Sequence, residues 1–128
     1  MRAGNPRLCL HMVFCVVALA FTTQTLRAQN RIVPDSQAAQ FVGQSVTVEG
    51  VVVQVSTSPR SNTTFLNFGA RYPNHIFNAV IFRSAAAQFP NPQQWEGKRV
   101  RVTGTVRLYQ GKPEIVLETG VQLTTAPQ

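Results

Sequence analysis

Cysteine, histidine and acidic residues are scarce in this sequence, and their scarcity excludes several kinds of site. The 128 residues contain two cysteines, two histidines and five acidic residues. Both cysteines, Cys9 and Cys15, lie in the first 28 residues, and His75 is the one histidine after that segment. Because a protein metal site needs several such ligands close together, we expect no metal and no cofactor.

Signatures of catalysis are missing as well. The sequence has no Gly-x-Ser-x-Gly elbow and no phosphate-binding loop, and no cysteine nucleophile follows residue 28. No two carboxylates stand at a spacing that suggests shared acid–base work. We therefore expect no catalytic residue and a protein that is not an enzyme. The five acids are Asp35, Glu49, Glu96, Glu114 and Glu118.

The N-terminal segment has the composition of a signal peptide. Arg2 and Arg7 precede an apolar run at 8–21, which is short of the ~20 residues that a membrane-spanning helix needs. Residues 18–20 fit the small-x-small cleavage rule; residues 26–28 fit it less well but leave a more usual signal length. We favour cleavage after Ala28, with cleavage after Ala20 and an uncleaved anchor as alternatives.

The sequence therefore predicts a signal peptide at 1–28, a leader at 29–37 and a single domain at 38–128. The protein is expected to be exported, to the periplasm or the medium, with no stable membrane span after cleavage. The remaining chain keeps nine basic and five acidic residues and no cysteine. This basic excess suits a polyanionic partner, and the oligomeric state stays open.

Alternation of apolar and polar residues predicts an all-β domain. A short helix at 35–41, ended by Gly43, precedes the first strand, and a short helical segment at 84–95 separates the third and fourth strands. Glycines in the middle of the first and fourth strands, Gly50 and Gly104, mark bends that a small Greek-key barrel needs. The five expected strands are 45–56, 63–69, 76–83, 98–109 and 114–123.

Four motifs carry a resemblance to the OB-fold superfamily over residues 38–122. The sequence is most similar to small exported bacterial OB domains that bind nucleic acid. The resemblance implies a five-stranded OB-type Greek-key barrel, with ligands on the second and third strands and on the loops after the first and fourth. The motifs are Val48-x-Gly50-x-Val52, Thr64–Gly69 followed by Tyr72-Pro73, Phe77–Phe82, and Gly97-Lys98-x-Val100-x-Val102-x-Gly104.

Residues on this implied surface form the candidate binding site. Alternation places Phe65 and Asn67 on the outer face of the second strand, and Asn78, Val80 and Phe82 on the outer face of the third. A register error of one residue would exchange the faces, and the helical segments could bury Phe65 and Phe82 instead. The candidate ligand-binding residues are Arg60, Phe65, Asn67, Arg71, Asn78, Tyr109 and Lys112.

An aromatic and amide surface framed by cations suits single-stranded DNA or RNA, bound without strong sequence preference. Bases stack on exposed rings while cations follow the phosphates. The alternative is a periplasmic OB module with an envelope or stress role that binds protein, oligosaccharide or another anionic ligand. A basic stripe formed by Arg99, Arg101 and Arg107 is interpreted as a solvated face, with a polyanion footprint as the alternative. His75 is interpreted as a solvated loop residue.

Overall fold

A computed structural model describes residues 31–127, which form eight strands and four short 3₁₀ helices. The predicted signal peptide and both cysteines lie outside the described residues. No helix in the described part of the chain is long and apolar enough to cross a membrane. The strands are β1 (Ile32–Pro34), β2 (Ser45–Thr57), β3 (Thr64–Phe68), β4 (Phe77–Ile81), β5 (Arg99–Thr105), β6 (Arg107–Tyr109), β7 (Lys112–Leu117) and β8 (Leu123–Thr125).

The all-β prediction is confirmed, but the expected count of five strands is wrong. The predicted fourth strand is divided at Val106, whose backbone exchanges hydrogen bonds with Gln44 and Gly43 instead of with a sheet neighbour. The predicted last strand is divided by the 3₁₀ helix Gly120–Gln122. The third extra strand, β1, lies in the predicted leader and pairs in parallel with β2. These interruptions depend on contacts between distant segments, which alternation alone does not report.

The sheet wraps around one apolar core. Its hydrogen-bonded order is the open path β6-β7-β4-β3-β2-β5-β8, with β1 beside β2. β5 and β6 are far apart in that order, but they are consecutive in the chain on either side of Val106. Their connection therefore brings distant parts of the sheet together. The largest fully buried apolar side chains are Phe68, Phe77, Leu66, Ile81, Ile115 and Leu117.

The two expected helical segments are present as short 3₁₀ helices. Asp35–Phe41 follows β1 and places Ala38 in the core. The segment between β4 and β5 contains Arg83–Gln88 and Pro92–Trp95, and its Phe89 is buried in the same core. Short 3₁₀ helices are usual for brief connecting turns such as these.

A register shift in β2 positions the outer face of the sheet. Val52 pairs with Phe68, whereas Gln54 pairs with the preceding residue of β3, Asn67. The extra residue in β2 is a β-bulge, and a bulge re-aims the side chains that follow it. Gln54 therefore lies beside the outer-face residue Asn67.

Candidate functional site

A row of polar side chains crosses the outer face of the sheet. Gln54 on β2 pairs with Asn67 on β3, Asn67 pairs with Asn78 on β4, and Asn78 pairs with Glu114 on β7. Glu114 in turn pairs with Arg107 on β6. Because directly paired residues share a face of the sheet, this polar row is continuous across five strands.

The two asparagine amides of the polar row are buried and incompletely bonded. Gln54 Oε1 accepts hydrogen bonds from the backbone N–H of Tyr72 at 2.9 Å and from Asn67 Nδ2 at 3.1 Å. Asn67 is 1% exposed and Asn78 is 7% exposed. The Oδ1 atom of each has no hydrogen-bond partner among residues 31–127. An unpaired buried polar atom costs about 1–3 kcal/mol, so these oxygens mark a position where a ligand or water would be stabilising.

At its other end, the polar row is closed by an ion pair. The buried Glu114 carboxylate accepts a hydrogen bond from Arg107 Nε at 2.7 Å, and Arg107 Nη2 lies 2.6 Å from the same oxygen in a salt bridge. Arg107 also lies over the ring of Phe82, at 5.8 Å. Arg101 lies 3.8 Å from Glu49. Two arginines of the predicted basic stripe thus face acids, which lowers its attraction for a polyanion.

A pocket of about 550 Å³ lies over Asn67 and Asn78. Tyr72 and Tyr109 border it and are the most exposed of its aromatic rings, at 70% and 52%. Phe65 is half-buried against the same space. The pocket is lined by Ser56, Thr57, Ser58, Phe65, Asn67, Tyr72, Pro73, His75, Asn78, Tyr109, Gln110 and Lys112.

Lys112 joins the two sides of the pocket. It is half-buried on β7, and its Nζ donates hydrogen bonds to the backbone carbonyl of His75 at 2.7 Å and to that of Pro73. These bonds tie the loop 69–76 to the β6–β7 hairpin. Neutral carbonyls do not cancel the ammonium charge, so Lys112 still brings positive charge to the pocket.

The interpretation of His75 as a solvated loop residue is wrong. His75 is 6% exposed, its ring stacks on Tyr72 with a centroid separation of 5.8 Å, and its Nδ1 has no partner among the described residues. Burial lowers the pKa of His75, and the positive charge of Lys112 lowers it further. The loop folds back onto the sheet through Lys112 and Gln54, contacts that a local polar sequence does not predict.

Stability should fall with acidity partly because of His75. Its pKa in the folded chain lies below the ordinary value of about 6.5. Below about pH 6.5, the unfolded chain therefore binds a proton that the folded chain does not, and the free energy of unfolding decreases. Urea titrations from about pH 7.5 to 5.5 should show a smaller decrease for His75→Gln than for the wild type. Equal decreases would contradict the lowered pKa.

The structure brings five of the seven candidate residues together and leaves two outside. Arg60 and Arg71 are exposed in the loops 58–63 and 69–76 and do not line the pocket. The predicted outer face of β3 and β4 is correct, yet Asn67, Asn78 and Val80 on it are buried. The five pocket residues are Phe65, Asn67, Asn78, Tyr109 and Lys112.

Sequence reasoning missed Gln54, Tyr72 and His75 as parts of this site. Tyr72 is an aromatic residue in a polar loop, which is a usable signal for a contact residue. Gln54 gives no such signal, because its position depends on the bulge in β2. No group of three or more His, Cys, Asp or Glu that could hold a metal occurs within residues 31–127.

Solved structures show where this fold occurs. A protein from Leishmania major Friedlin described as an aspartyl-tRNA synthetase aligns with 80% of this chain, at 12% identity and a TM-score of 0.51. RecG, solved bound to a three-way DNA junction, aligns with 77% at 26% identity and a TM-score of 0.50. The chain covers 22% and 13% of those two proteins. No curated protein sequence matches it.

The family of this chain follows from a family model that covers most of its described part. The tRNA anti-codon model, described as an OB-fold nucleic acid binding domain, matches residues 46–121. The match spans β2 to the 3₁₀ helix before β8 and so contains the polar row and every pocket residue. Since the match extends over more than half of the sequence, the chain belongs to this family of OB-fold nucleic acid binding domains.

Proposed function

We propose that this chain is an exported module that binds single-stranded nucleic acid in the pocket over β3 and β4. The observation that carries the proposal is a pair of buried amide oxygens, at Asn67 and Asn78, that have no partner within residues 31–127 and lie beside the exposed rings of Tyr72 and Tyr109. Unstacked bases offer both a hydrogen-bonding edge and a flat face. The role proposed is binding and not catalysis.

The arrangement of rings supports single strands over duplexes. Tyr72 lies in the loop 69–76 and Tyr109 at the β6–β7 hairpin, and both border the pocket. Bases in a duplex are already stacked on one another, whereas bases of a single strand are free to stack on protein rings. Stacking accepts every base, so most of the contact surface would be indifferent to sequence.

Cations beside the pocket support contacts with phosphates. Arg60 follows the lining residue Ser58 by two positions, and Arg71 directly precedes Tyr72. Both are exposed, and neither forms a salt bridge within residues 31–127. A strand whose bases enter the pocket would carry its phosphates along these loops. Arg101, which faces Glu49 on another part of the sheet, provides a matched comparison.

Salt dependence tests this proposal. Fluorescence anisotropy of a labelled single-stranded oligonucleotide should show affinity that falls with salt, by about 0.7 in log–log slope for each phosphate contact. Arg60→Ala or Arg71→Ala should weaken binding and flatten the slope by roughly one contact. Arg101→Ala should leave the slope nearly unchanged. Absence of salt-dependent binding by the wild type would refute the proposed function, whereas an effect confined to Arg101→Ala would move the ligand to the basic stripe.

Export is supported by the basic start and short apolar run of residues 1–28. Protein recovered from the periplasm or medium of a bacterium that expresses the full chain should have the intact mass of residues 29–128. A mass that begins at residue 21 would select the alternative cleavage site. Recovery of uncleaved protein in the membrane fraction would contradict cleavage and select the uncleaved anchor, whereas full-length protein in the cytoplasm would contradict export.

A further inference from the structure

We propose that the pocket reads one base of the bound strand through an exocyclic amino group. It would then prefer cytosine, adenine or guanine at that position over uracil or thymine. The inference rests on the proposed function and deepens it, because it adds one selective nucleotide to otherwise sequence-tolerant binding. It is carried by the orientation of two amides in the polar row.

The orientation of Asn67 follows from its hydrogen bonds. The backbone N–H of Tyr72 can only donate, so the Gln54 side-chain atom 2.9 Å from it must be the oxygen. Asn67 approaches that same oxygen at 3.1 Å and must therefore do so with its NH₂ group. The remaining atom of the amide is Oδ1, an acceptor without a partner among the described residues.

The surroundings of Asn78 favour the same presentation. Asn78 lies between Asn67 and Glu114 in the sheet register. The Glu114 carboxylate pairs with Arg107, and a carboxylate can only accept hydrogen bonds. Electrostatics therefore favours the NH₂ group of Asn78 toward Glu114 and its Oδ1 away from that carboxylate. Oδ1 of Asn78 is likewise buried without a partner in the described part of the chain.

Two neighbouring acceptors match an amino group. Directly paired residues of antiparallel strands have Cβ atoms about 4.5–5.5 Å apart, so the amides of Asn67 and Asn78 are close neighbours. An exocyclic amino group has two N–H bonds and can donate one to each oxygen. Uracil and thymine offer a single N3–H flanked by carbonyl oxygens, which would leave one acceptor unpaired and set a carbonyl against it.

Burial limits this selectivity to a single nucleotide. Both oxygens lie beneath the accessible surface, so a base reaches them only by displacing neighbouring side chains. Tyr72 and Lys112 line the same pocket, and both are partly exposed. Because this displacement is needed for each base that enters, we place one base at the two oxygens, with adjacent bases on the exposed rings.

Matched oligonucleotides test the inference. The test compares oligodeoxycytidine with oligodeoxyuridine, each of about 12 nucleotides, a length within the range that one OB fold occupies. At each base, cytosine has an exocyclic amino group where uracil has a carbonyl oxygen. The wild type should bind the cytidine strand about tenfold more tightly, in line with the discrimination that paired base contacts provide. Asn67→Ala should bring this ratio close to one while changing the affinity for the uridine strand less than threefold.

Variants at Gln54 separate orientation from folding. Gln54→Leu removes the acceptor that orients Asn67 and should lower the ratio of the affinity for the cytidine strand to that for the uridine strand. Gln54→Glu keeps an acceptor for both N–H donors and should retain the ratio, although its negative charge weakens binding of both strands. Gln37→Ala, which removes an exposed amide outside the pocket, should change neither affinity nor ratio. Thermal melts of each variant identify any general loss of fold.

The possible outcomes distinguish the inference from the proposed function. Equal wild-type affinity for both strands, or a ratio that persists in Asn67→Ala, would overturn base reading and leave strand binding intact. Failure to bind either strand would overturn the proposed function itself. A cytidine preference that Asn67→Ala abolishes, Gln54→Leu lowers and Gln54→Glu retains would support the inference.

Discussion

Replacement of Tyr72 or Tyr109 by alanine is expected to weaken binding of single-stranded oligonucleotides by about 1–3 kcal/mol for each ring. Stacking releases no condensed cations, so the slope of affinity against salt should stay unchanged. The rings are 70% and 52% exposed, and their removal should therefore cost little stability. Anisotropy titrations at several salt concentrations, with urea unfolding in parallel, measure both quantities.

Two comparisons make the tyrosine experiment specific. Tyr72→Phe and Tyr109→Phe keep the aromatic face and should retain most of the affinity. Val121→Ala truncates a side chain that is 83% exposed and does not line the pocket, so it should have no effect. If both alanine variants bind as tightly as the wild type, or if the phenylalanine variants lose as much affinity, stacking in this pocket is excluded.

Substitution of Gly104 by valine is expected to destabilise the fold by about 1–3 kcal/mol, the usual cost of overpacking a core. A Cβ atom at Gly104 would lie 2.6 Å from Cγ2 of Ile115 and 3.3 Å from Nε2 of Gln122. Ile115 is fully buried on β7 and has little room to move. The sequence predicted that this glycine marks a bend in the strand. In the structure, a glycine is needed there because Ile115 approaches its backbone closely.

Thr105→Val is the matched control for the glycine experiment. Thr105 is the next residue of β5, is exposed, and already has a β-branched side chain. Urea titration should therefore give Thr105→Val a stability close to that of the wild type and a clear loss to Gly104→Val. Equal stability of the two variants would mean that β7 yields to the added side chain.

Much of the fold could be predicted because the alternation of apolar and polar residues along a strand shows which side chains face the core and which face outward. The alternation that assigned Phe65 and Asn67 to the outer face holds in β3, where the intervening Leu66 and Phe68 lie in the core. The same rule did not predict the interruption at Val106, because that residue bonds to Gln44 and Gly43, far away in sequence. The number of strands depends on such hydrogen bonds between residues far apart in sequence, whereas the location of each main strand along the chain does not.

The candidate site, too, could be predicted from the sequence only in part. Alternation and family resemblance sufficed to name Phe65, Asn67 and Asn78 as outer-face residues, and neither gave their burial. The burial of Asn67 and the positions of Tyr72 and His75 depend on the bulge at Gln54 and on the bonds from Lys112 to the loop 69–76.

By itself, the sequence determined an all-β chain, the places of its main strands and the side chains that face outward. Only the tertiary structure decided which outward side chains meet. The physical reason is that a strand's two faces follow from the alternation of its own residues, whereas cross-strand register and loop closure are set by contacts between distant segments. Lys112 bonds to the carbonyl of His75, 37 residues away, and the polar row joins residues from five strands.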